Sequence, residues 1–106
     1  MPEILVQFDE PITDPSGRRY FAQAVGHQRE DGLWEGWLEF IAVNEDAPAL
    51  GSGRETTQPN RADMEYWAQG LSRVYLEGAL ARAESLPEAR ERIRAAESEG
   101  SALDYT

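Results

Sequence analysis

The chain has 106 residues, a formal net charge of −10 and no cysteine. That length fits one domain, which at this size buries roughly 65% of the surface its unfolded chain exposes. Disulfides, thiolate metal sites and a cysteine nucleophile are excluded. Acidity of this degree disfavours general binding to nucleic acid or to anionic membrane surfaces, and leaves a basic protein partner open.

All ten basic residues are Arg, as expected of a GC-rich coding sequence. The charge is uneven: residues 51–83 carry four acids and four Arg, whereas the flanking segments are acidic. Three Trp, four Tyr and three Phe are enough for a core and argue against global disorder. The opening Met1-Pro2-Glu3-Ile4 lacks the basic and apolar regions of a signal peptide, and no run is long enough to span a membrane. A cytoplasmic location is the default expectation.

Ile4 to Phe8 reads as a first strand. Asp14-Pro15-Ser16-Gly17 fits a type I turn. Asp9, Glu10 and Asp14 near this turn do not match the spacing of an EF-hand calcium loop. Residues 18–43 read as a hairpin, with Asp31-Gly32 as a two-residue type I′ turn. This register pairs Arg29 with Trp34, Val25 with Leu38, Gln23 with Phe40 and Phe21 with Ala42. It makes that face the core side. Glu35 and Glu39 then face solvent, since burying them unpaired would be costly. Trp34 and Trp37 fall on opposite faces, so Trp37 is either an exposed interface anchor or is covered by the C-terminal helices or a second subunit. His27 falls opposite Gly36, away from both glutamates, and reads as a surface histidine. Ala49 to Thr57 forms a fourth strand weakened by Gly51 and Gly53.

Helix chemistry follows. Asn60 is an N-cap with Asp63 in the first turn, Met64, Trp67 and Ala68 share a face, and Gly70 ends the helix. Ser72 caps a second helix whose stripe is Leu76, Ala79, Leu80 and Ala83. Gly78 weakens it. Ser85-Leu86-Pro87-Glu88 opens a third helix as a capping box. Residues 1–84 are therefore expected as a single α+β domain, an antiparallel three- to four-stranded meander with two or three helices on one face. Residues 85–106 are expected as a loosely anchored helix with a tail that frays from 99 onward.

Gly32-Leu33-Trp34-Glu35-Gly36-Trp37-Leu38-Glu39-Phe40, Gly53 to Arg61, Tyr66-Trp67-Ala68 and Tyr75 to Leu80 together resemble a group of small bacterial proteins of unknown function. The resemblance spans roughly residues 17–83. It implies a bacterial origin and a hairpin-plus-helices unit, and carries no activity.

The first candidate binding patch is Arg54, Thr56, Thr57, Gln58, Asn60 and Arg61, at a strand-to-helix junction where a helix N-terminus attracts anions. Ordinary capping and local ion pairs are the competing explanation. The Gly-Lys-Ser/Thr ending of a phosphate loop is missing. No cofactor and no metal site is indicated. The leading expectation is a non-catalytic protein-interaction module that binds a protein partner or a second copy, through this junction, Trp37 or both. The alternative is a small-molecule or anion-binding domain at the same junction. An enzyme would need a pocket with convergent acids or His27, which the pattern does not indicate. Mimicry of nucleic acid by the acidic surface would need phosphate-like spacing that sequence does not reveal.

Overall fold

The computed structural model describes residues 2–103, with side chains through residue 96. One antiparallel sheet forms the centre. Its long strands are β1 (Glu3–Gln7), β3 (Arg19–Gln28) and β4 (Trp34–Ala42). Short strands β2 (Ile12–Thr13), β5 (Leu50–Gly51), β6 (Thr56–Gln58) and β7 (Glu84–Ser85) extend it, in the order β1-β3-β4-β5-β7, with β2 on β3 and β6 on β4. Helices α1 (Arg61–Gln69), α2 (Arg73–Arg82) and α3 (Leu86–Leu103) follow the long strands. The α+β class expected from strands-then-helices order is the one observed. Among the described residues no helix is long and apolar enough to cross a membrane.

Turn chemistry sets the frame. Asp14 accepts from the Gly17 amide across the expected turn at 3.0 Å, and its carboxylate also takes the Ser16 and Arg18 amides, both at 2.9 Å. The β3–β4 connection differs from the two-residue expectation. Gly32 N–H donates to Arg29 O at 3.1 Å, Arg29 N–H donates to Leu33 O at 2.7 Å, and Gly32 has φ +89°. The loop is thus three residues, Glu30, Asp31 and Gly32: a tight turn closed by a left-handed glycine. The same Asp-Gly pair serves either loop, so the dipeptide alone does not fix the register.

The extra loop residue shifts β3 by one against β4. Val25 lies opposite Trp37, Ala24 opposite Leu38, Ala22 opposite Phe40 and Phe21 opposite Ile41. The expected core positions on β4 are correct: Leu38, Phe40 and Ala42 are buried. On β3 the assignment inverts. Tyr20, Ala22 and Ala24 face the main core, while Val25 turns to the opposite side and Phe21 is 40% exposed.

The main core joins that face to Ala68 of α1 and to Leu76, Ala79 and Leu80 of α2, with Ile12 from β2. Gly26 stands directly opposite Gly36, and together they leave a dent in the sheet. A Cβ on Gly36 would lie 2.6 Å from Met64 Sδ and 2.9 Å from Trp67 Cζ3, and one on Gly26 3.3 Å from Met64 Cγ. Met64 of α1 fills the dent and is fully buried.

The helix caps agree with the sequence. Asn60 accepts from the Asp63 amide and Ser72 from the Tyr75 amide, and α1 stops at Gly70. The expected fourth strand divides into β5 and β6, both paired with β4. Between them the Ser52 hydroxyl accepts from Leu38 N–H at 3.0 Å, standing in for a ladder carbonyl.

α3 begins at Leu86, directly after Ser85 as expected, but lies on the other face of the sheet. Its Ala89 and Ile93 are buried, and Ile93 packs with Val25 and Trp37. The sheet is therefore covered on both sides, where one covered face was expected. The expected fraying falls partly on residues 104–106, outside the described residues, and the backbone is helical to Leu103.

Candidate functional site

The α3 side of the sheet gathers most of the polar chemistry of the chain. The shifted register brings His27 opposite Glu35 and Gln23 opposite Glu39. Both glutamates, expected to face solvent, are buried: Glu35 is 0% and Glu39 4% exposed. β4 is a central strand here, covered by α3 and flanked by β3, β5 and β6.

Burying carboxylates is tolerable when each oxygen is met by charge and hydrogen bonds. Around Glu35, His27 Nε2 lies 3.2 Å from Oε2, Arg54 Nη1 donates to Oε1 at 3.2 Å, and Arg29 Nη1 is 3.8 Å away. Arg29 also pairs with Asp31 at 2.9 Å, while its Nε is buried with no hydrogen-bond partner. Around Glu39, Oε2 accepts from Trp37 Nε1 at 2.9 Å and from Arg90 Nη2 at 3.1 Å, and Oε1 accepts from Gln23 at 3.3 Å. Arg54 comes from the β5–β6 loop and Arg90 from α3. The two carboxylates thus fasten a loop and a helix onto one sheet face.

Two sequence expectations are corrected here. Trp37 is not an exposed anchor but 2% exposed, packed against Ile93 of α3 as the other expectation had it, with its indole N–H held by Glu39 and part of its ring at the edge of a cleft. His27 does not stand apart from the glutamates; it is bonded to Glu35 and meets Trp37 edge to face at 5.6 Å. A cleft of about 270 Å³ opens beside these rings, lined by Pro2, His27, Trp37, Arg90, Ile93 and Arg94.

The Arg54–Arg61 junction is assembled as a strand and a helix start. Arg54 turns to Glu35. Thr56, Thr57 and Gln58 form β6, and Gln58 donates to the Thr56 hydroxyl at 2.8 Å. Asn60 caps α1, and Arg61 pairs with Glu65 and with Glu3. Neighbouring Glu55 takes Arg82 at 3.0 Å and the Tyr75 hydroxyl. Burial, followed by the bond to Glu55, raises the Tyr75 pKa above its ordinary value.

The second surface expected from the sequence, an uncovered hairpin face with Trp37 and Ile41, survives only in part. Beyond the reach of α3, the opposed pair Phe21 and Ile41 stays about 40% exposed on the sheet face. They border a groove of about 330 Å³ with Phe8, Asp9, Gln7 and Gln23. The signal was present in the apolar character of residues 21 and 41. Ile41 was expected on the uncovered face, and Phe21, expected on the core side, joins it in the true register of β3.

Comparison with family models, with curated proteins and with solved structures gave no match.

Proposed function

We propose that this chain is a non-catalytic protein-interaction module whose contact surface is the Phe21–Ile41 groove. The observation that supports it is an apolar cross-strand pair left about 40% exposed on the sheet, beside an open groove. The groove matches one or two side chains, far below the roughly 800 Å² per partner of a stable dimer. It therefore fits transient capture of a short segment better than permanent pairing of two copies. Asp9 at its border and the net charge of −10 favour an apolar side chain flanked by Arg or Lys.

The alternative, an anion held at the Arg54–Arg61 junction, has less support. Each of those arginines already meets a carboxylate, and the helix start is capped by its own asparagine.

The test is a titration of isotope-labelled protein with a short Leu/Arg peptide and with a Leu/Glu control. Shifts centred on Phe21 and Ile41, produced by the basic peptide and lost in Ile41→Asp, are expected. Equal binding of both peptides, or shifts elsewhere, would overturn the reading. Sedimentation at two concentrations covers the self-association variant, which predicts a mass that rises with concentration and falls in Ile41→Asp.

A further inference from the structure

We infer that the cleft between α3 and the sheet binds a small organic carboxylate with a planar apolar body. Its walls divide by chemistry. The Trp37 and His27 rings, Ile93 and Pro2 offer apolar surface, and Arg90 and Arg94, one helical turn apart, offer guanidinium groups.

The walls are held from behind. Glu39 Oε2 takes both Trp37 Nε1 and Arg90, through Nε at 3.3 Å and Nη2 at 3.1 Å, so Arg90 Nη1 makes none of the bonds to Glu39. Glu35 fixes the His27 ring from the sheet side. Two buried carboxylates that cost desolvation therefore orient three groups of one cleft, which is how a preorganised site is built. Among the described residues Arg94 pairs with Glu91 across an exposed contact of 3.2 Å, an interaction weak enough to be exchanged for a ligand.

A guanidinium pairs with a carboxylate through two parallel hydrogen bonds, and an aromatic ring matches the Trp37 and Ile93 wall. At about 270 Å³ the cleft is near the small end of ligand pockets, which sets the occupant at about one ring.

The probes are sodium benzoate and inorganic phosphate, and the readout is the Trp37 indole N–H resonance. Benzoate is expected to shift it saturably, and phosphate is not. Arg94→Gln is expected to weaken benzoate binding by about fivefold or more with unchanged circular dichroism, while Arg94→Lys loses less. A benzoate titration without saturation, an equal response to phosphate, or unchanged affinity in Arg94→Gln would overturn the inference. The peptide groove lies elsewhere on the sheet, so the two readings succeed or fail separately.

Discussion

His27 and Glu35 face each other across β3 and β4, with the imidazole Nε2 3.2 Å from a carboxylate that has no exposed surface. Arg54 and Arg29 approach the other oxygen of the same carboxylate. Removing that charge takes the carboxylate from Arg54, leaves the buried Arg29 to Asp31 alone and puts an amide where the His27 ring meets an anion. Glu35→Gln is expected to cost about 3–5 kcal/mol, the usual range for breaking a buried pair from one side. Urea unfolding measures it, and a loss below about 1 kcal/mol would mean that the carboxylate is not the hub described here.

The dent at Gly26 and Gly36 makes a second prediction. Gly36→Ala places a methyl group 2.6 Å from Met64 Sδ and is expected to destabilise by about 1–3 kcal/mol. Gly78→Ala, inside α2 with open space around it, is expected to stabilise by about 0.5–1 kcal/mol. Thermal melts of the two variants should move in opposite directions.

Tyr75 carries a pH signature. Its folded pKa lies above the unfolded value, so the stability it contributes is intact below pH about 10. That contribution is lost as pH rises through the higher folded pKa. Absorbance at 295 nm should show one tyrosine ionising late, and Glu55→Gln should bring it back toward the ordinary range. Identical curves for the two proteins would contradict the Glu55 bond.

α3 is tied to the sheet by Ile93 against Val25 and Trp37 and by Arg90 on Glu39. Ile93→Ala should cost about 2–5 kcal/mol if the site does not collapse. Its fluorescence should shift to the red as Trp37 gains water. An unshifted spectrum with full loss of stability would mean that α3 and the sheet unfold as one unit.

These particulars mark how far the sequence reaches. Local rules held where the cause is local: the Asp14–Gly17 turn and the Asn60 and Ser72 caps each depend on residues a few positions apart. The core face of β4 was likewise legible. The face of β3 was not, because a two-residue and a three-residue loop both use Asp31-Gly32, and one residue of slip turns every side chain over. The buried glutamates were hidden for a different reason. Their partners Arg54 and Arg90 stand 19 and 51 positions away, and a rule that forbids unpaired burial does not see a partner supplied by a distant helix. The candidate junction held its arginines in structural pairs, and the open groove came into view only after the register was known.

Met64 in its glycine hollow ties the seating of α1 to one alignment of the hairpin. A ribbon slipped by one position would break up the Gly26–Gly36 match and offer the incoming helix a bulky residue where it needs none. The seating of α1 on one side and the meeting of His27 with Glu35 on the other therefore hang on the same single register.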